Sequence, residues 1–124
     1  MRRLTVTVLL VCCAVLGTAL PRLIRAEDTA GFLAGTEDIP LMPGLSNEAN
    51  TLVVFDKPQG RIVEAEARGK VTRAAVEAFY TASLPELGWV ADGPDGWRRD
   101  GEELRLDFKG HDGDLRVAFS LAPK

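Results

Sequence analysis

The chain has 124 residues, 15 basic and 18 acidic, for a net charge of −3, which is room for one small domain. Arg2, Arg3, Arg22 and Arg25 precede Glu27 and every acid lies from Glu27 onward, so the remainder sets 11 basic residues against 18 acidic, a balance of −7. That balance argues against binding nucleic acid or anionic lipid, which needs clustered Lys and Arg. Both cysteines, Cys12 and Cys13, fall before Glu27, so the remainder has neither disulfides nor a catalytic thiol.

Met1-Arg2-Arg3 is followed by seventeen uncharged residues, 4–20, and then by Pro21. A positive start ahead of an apolar run is the pattern of an export signal. As a helix the run is about 25 Å long at ~1.5 Å per residue, between a signal core and a ~30 Å membrane span. Residues 1–26 are therefore expected to be a signal peptide, cut after Ala26 or, alternatively, after Ala19, or else a retained membrane anchor. Val11 precedes Cys12 and Cys12 precedes Cys13, so neither thiol has the small preceding residue of a lipid-attachment site. The expected location is the periplasm, or the inner membrane with the domain in the periplasm, and contact with the membrane is expected only through residues 4–20.

Residues 27–50 show neither helical nor strand period and are interrupted by Gly31, Gly35, Pro40, Pro43 and Gly44. They read as an extended linker, with the apolar run 39–45 lying against the domain in extended or polyproline form. The domain itself is expected over 51–124. Residues 51–56 are rich in β-branched and aromatic side chains, and Lys57-Pro58-Gln59-Gly60 has Pro and Gly where a tight turn wants them. The return strand, 61–68, alternates Val63, Ala65 and Ala67 with Glu64, Glu66 and Arg68, Ile62 being the exception on the polar side.

From Thr72 the period becomes helical. Spacing of 100° per residue puts Val71, Ala75, Val76, Phe79 and Ala82 on one face and Arg73, Glu77 and Thr81 opposite, with Thr72 as cap and Pro85 enforcing an end near Leu84. Four short strands follow at 89–92, 96–100, 102–109 and 114–121, separated by Gly93-Pro94-Asp95, Asp100-Gly101 and His111-Asp112-Gly113. The order ββαββββ predicts an α+β fold, an antiparallel sheet with the helix packed on one face.

Chemistry-bearing patterns are sparse. His111 sits in a glycine-rich turn with two carboxylates that would point outward, short of the three or four converging ligands a metal needs. Ser46, Ser83 and Ser120 have no nucleophile motif and share one possible histidine base. No glycine-rich loop precedes a helix, and no cofactor is implied. Glu64 with Glu66, and Asp92 with Asp95, are acids of the kind a glycosidase pairs, and equally of the kind that decorates a wet surface. Trp89 and Trp97 flank the Gly93-Pro94 turn, with Tyr80 at the edge of the helical stripe. The three can form an aromatic binding surface for sugar or peptide, or close one end of the core.

Asp38-Ile-Pro-Leu-Met-Pro-Gly44, Phe55-Asp-Lys-Pro-Gln-Gly-Arg-Ile62, and Phe79-Tyr80 followed by Leu84-Pro85 and Leu87-Gly88-Trp89 resemble segments of a group of small exported proteins of alphaproteobacteria. The resemblance spans roughly residues 38 to 104. It implies an envelope location in a Gram-negative cell and carries no activity or functional residues with it. The expected function is a non-catalytic periplasmic or membrane-tethered binding or accessory module for an envelope protein or ligand, and the alternative is a small envelope hydrolase using paired carboxylates.

Overall fold

Lys57 faces Gly60 across a two-residue turn, which folds strands β2 (Val53–Lys57) and β3 (Gly60–Gly69) into an antiparallel hairpin. The computed structural model describes residues 31–124, so the signal or anchor expected over 1–26 lies outside the described residues. Helix α1 (Arg73–Ser83) begins at Thr72, whose hydroxyl accepts the Ala75 N–H at 3.1 Å, and a single 3-10 turn at Pro85–Leu87 follows it. Gly88 ends that turn in the left-handed region at φ 89°. Strands β4 (Val90–Ala91), β5 (Gly96–Arg99), β6 (Glu102–His111) and β7 (Asp114–Pro123) complete the chain.

A further strand, β1 (Leu45–Asn47), precedes the hairpin, so the order is βββαββββ and the sheet has seven strands, all antiparallel. β1 and β2 share the outer edge of β3, and the order continues β3-β7-β6-β5-β4. The gap between β1 and β2 is bridged by Glu48, whose amide donates to Glu66, and by the Thr51 hydroxyl, which accepts from the Glu66 amide. Gly69 admits β1, because a Cβ there would stand 2.0 Å from the Gly44 carbonyl oxygen.

The segment read as a linker therefore supplies a strand and more. Leu33, Ile39, Leu41 and Leu45 are buried in the one core cluster, and Leu33 and Leu41 donate backbone bonds of 2.9 and 2.8 Å to Ile39 and Gly31. Geometry explains the need. An 11-residue helix is about 16 Å long, whereas six strand positions span about 24 Å across the sheet, so one helix leaves part of the apolar face uncovered.

The helix also turns a different side to the sheet than its apolar count suggests. Val76, Tyr80 and Leu84 are the buried residues, four apart, while Ala75, Ala78 and Ala82 are exposed and make no close packing against the sheet. Tyr80, expected at the stripe's edge, is its centre. The hydroxyl donates to the Pro40 carbonyl at 2.9 Å and accepts from the Met42 amide at 3.3 Å, and the ring meets Phe119 edge-on at 5.5 Å.

Two outcomes follow for stability. Ile39, fully buried, costs about 2–5 kcal/mol on substitution to Ala, measurable by urea denaturation. Tyr80 is pushed up to about 12 by burial, against the lowering effect of the Met42 amide. Its contribution is thus complete below the ordinary tyrosine value of 10.0 and is lost as pH rises towards about 12. Tyr80→Phe should remove that alkaline step and cost about 1–3 kcal/mol at neutral pH through the stranded Pro40 and Met42 backbone groups.

Candidate functional site

β7 runs down the middle of the sheet, and alternation sends Leu115, Val117 and Phe119 into the core and Arg116, Ala118, Ser120 and Ala122 to the opposite face. On that open face β3 contributes Glu64 and Glu66, and β6 contributes Arg105, Asp107 and Lys109. The register aligns Glu64 and Arg105 on either side of Ser120, and Glu66 and Asp107 on either side of Ala118. Long charged side chains on both flanks and two small ones between them leave a trough of about 550 Å³, floored by Ala118 and Ser120.

Charge is distributed unevenly along it. At one end Lys109 reaches Glu66 at 3.2 Å, and Arg116 contacts Glu48 at 2.9 Å and Glu66 at 3.6 Å. The 2.9 Å approach of Arg116 Nε to Glu48 Oε2 is an ion contact, and the aligned hydrogen bond runs from Arg116 Nη2 to Glu48 Oε1 at 3.2 Å. Beyond it Arg68 grips Asp114 with two bonds of 2.8 and 2.9 Å. At the other end Arg105 pairs with Glu103 and stands across Ser120 from Glu64. Neither Glu64 nor Asp107, which stands across Ala118 from Glu66, has an ion partner among the described residues.

The aromatic residues named from sequence are not on this face, and all three are buried. Tyr80 is 1% exposed, Trp89 2% and Trp97 7%, so the proposed aromatic binding surface is corrected to core. Trp89 is sealed by Arg99, whose guanidinium lies 4.3 Å from the ring centroid and also pairs with Asp38 at 2.7 Å. His111 is exposed at the β6–β7 turn, and among the described residues no group of three or more His, Cys, Asp or Glu gathers as metal ligands. Ser83 donates to the Phe79 carbonyl at 2.8 Å, as a helical serine commonly does.

Asp92 and Asp95 do not form a pair. Asp92 is held by Lys124 at 3.2 Å and Arg98 at 3.1 Å, and the Lys124 hydrogen bond holds its carboxyl below the ordinary range. Asp95 instead meets Glu77 through Arg73, which donates to Glu77 at 2.7 Å and to Asp95 at 2.9 Å while its guanidinium lies 4.6 Å from the Phe108 ring centroid. Burial pushes the Asp95 carboxyl up, the Glu77 charge adds to that, and Arg73 opposes it. The two acids edge a small pocket of about 160 Å³ walled by Tyr80, Trp97 and Leu106. No local motif announces this pair, since its members stand eighteen positions apart.

Compared with protein-family models, curated proteins and solved structures, the chain matches none of them.

The carboxyls are expected to titrate apart, in a way that carboxyl-carbon NMR reads directly. Asp114, lowered chiefly by its hydrogen bond from Arg68, and Asp92 should show midpoints below the ordinary aspartate value, and Asp95 above it. Stability from Asp114 and Asp92 is present above the ordinary carboxylate range and lost as pH falls through their depressed values, whereas Asp95 favours the folded state as pH falls through its raised one. Arg68→Gln should return Asp114 towards the ordinary value and leave Asp95 in place.

Proposed function

We propose that this protein is a non-catalytic exported binding or accessory module, periplasmic or tethered to the inner membrane through residues 4–20, and that it engages an envelope protein or ligand on the open face of the sheet. The trough over Ala118 and Ser120 carries the reading. One sheet face is covered by α1 and the 31–45 segment, whereas the other keeps a small-residue floor between charged walls, the form of a surface that a second molecule fills. The charged start and apolar run of 1–26, with the acidic balance of the remainder, support export. The covered core face and the ion-paired end of the trough give the surface a fixed shape, which lowers the ordering cost of binding.

The alternative, a small envelope hydrolase, has one observation in its favour: Glu77 and Asp95 stand together with the Asp95 carboxyl raised, as a general acid requires. Arg73 donates to both, however, and a retaining glycosidase keeps its acids about 5 Å apart with the substrate in that space. The guanidinium makes the pair a clasp between α1 and the β4–β5 turn.

Crosslinking in the native cell with a C-terminally tagged copy, compared with Ala118→Trp, tests the binding reading. The expected result is an envelope partner crosslinked by the native protein and lost with Ala118→Trp, whose side chain fills the trough without entering the core. A crosslinked set unchanged by that substitution would remove the open face from consideration. Mass spectrometry of the bait's N-terminus distinguishes cleavage, with Glu27 first, from a retained leader. Turnover of a cell-wall glycan that disappears in Glu77→Gln or Asp95→Asn would instead establish the hydrolase.

A further inference from the structure

The outer edge of β3 is occupied by β1 and β2, and the two edges they leave behind differ. Beside β1, the Asn47 side chain accepts from the Ala34 amide and donates to the Phe32 carbonyl, both at 3.0 Å, so the 31–34 segment lies along that stretch. Gly35 packs against the Leu52 and Val54 side chains, but among the described residues no backbone bond outside the hairpin reaches β2. Because Lys57 and Gly60 close a two-residue hairpin, Lys57, Phe55 and Val53 spend their backbone groups on β3, while Asp56 and Val54 turn theirs outward. The same strand exposes large apolar side chains, Phe55 at 56% and Val53 at 39%. Both share the open face with Ile62, since Phe55 lies opposite Ile62 and Val53 opposite Glu64.

We propose that β2 is a dimerisation edge that pairs antiparallel with β2 of a second copy about a two-fold axis at Val54, joining two seven-stranded sheets into one. Such an axis sets Val54 opposite its own equivalent and brings Val53 against Phe55 of the second copy twice. The outward amide and carbonyl of Val54 meet those of the second copy in a hydrogen-bonded pair. The Ile62, Phe55 and Val53 side chains of both copies become one apolar strip.

Charge supports a second copy over an unrelated strand. Lys57 and Glu64 stand on the open face at opposite ends of β2, and neither has an ion partner among the described residues. The two-fold carries Lys57 to the end where Glu64 of the second copy stands, and the reverse pair forms with it. The opposite sheet edge, β4, has only two residues and offers no comparable length. This inference rests on β2 with Ile62 and Glu64 beside it on β3; Glu64 also walls the trough, and association in the purified chain is read without any trough ligand.

Sedimentation velocity of the chain purified as it accumulates in cells, in detergent throughout where residues 4–20 are retained, tests it. The native protein is expected to dimerise with rising concentration. Lys57→Glu should weaken association about tenfold, because each change acts twice across a two-fold axis, and Lys57→Glu combined with Glu64→Lys should restore it. Asp56→Pro removes one outward amide per copy and none that β3 uses, and should weaken the dimer with the thermal midpoint of the monomer unchanged. A native protein that stays monomeric overturns the proposal. So does a dimer indifferent to Lys57→Glu and Asp56→Pro, or a charge exchange that fails to restore association.

Discussion

A sheet with one apolar face and a single short helix has more surface to cover than the helix can reach, and Tyr80 stands where that shortage is met. Its ring fills the space between α1 and Phe119, and its hydroxyl reaches past the helix to Pro40 and Met42. The chain before the sheet is thus fastened to the helix by the one polar atom that α1 sends into the core. Leu33, Ile39 and Leu41 then extend the cover over the remaining strands. In a domain without disulfides this continuous apolar layer carries the stability, as the hydrophobic effect is the dominant favourable term in folding.

The start of the helix is held as firmly as its buried face. The Asp112 carboxylate accepts the Arg73 amide at 2.9 Å and the Gly113 amide donates to Val71 at 3.0 Å, so the β6–β7 turn caps α1 together with Thr72. Arg73 then spans outward to Glu77 and Asp95, bringing in the β4–β5 turn. These exposed ion pairs are individually weak. Their effect is to orient α1 and the β4–β5 turn, elements whose energy comes from burial.

Much of the fold was legible because local chemistry announced it. Lys57-Pro58-Gln59-Gly60 marked the hairpin, Thr72 and Pro85 bracketed the helix, and the alternation from Leu104 and from Leu115 marked the long strands and their wet sides. The α+β antiparallel arrangement with one helix followed from that order. Leu45-Ser46-Asn47 was not legible as a strand, because three residues carry no period and their partner, 67–69, lies over twenty residues away. The helix face differs from its apolar count because an alanine gains little from burial and Tyr80 gains much. The trough and the Arg73 clasp were beyond reach for one reason: both depend on which strands are neighbours, and periodicity tells which way a side chain faces but not what stands beside it.

The position of β7 has a consequence for how the chain acquires its structure. It follows every other described element in sequence yet lies in the middle of the sheet, so β3 and β6 find no mutual partner until it arrives, and Val63 must wait for Leu121, 58 residues later. Before it the strands can pair only as two separate units, β1 and β2 on β3 and the β4-β5-β6 meander, with α1 between them in sequence. Non-local pairing of this kind delays folding until the loops have closed. The two halves of the sheet, and the core they share, therefore close on each other only once β7 is in place.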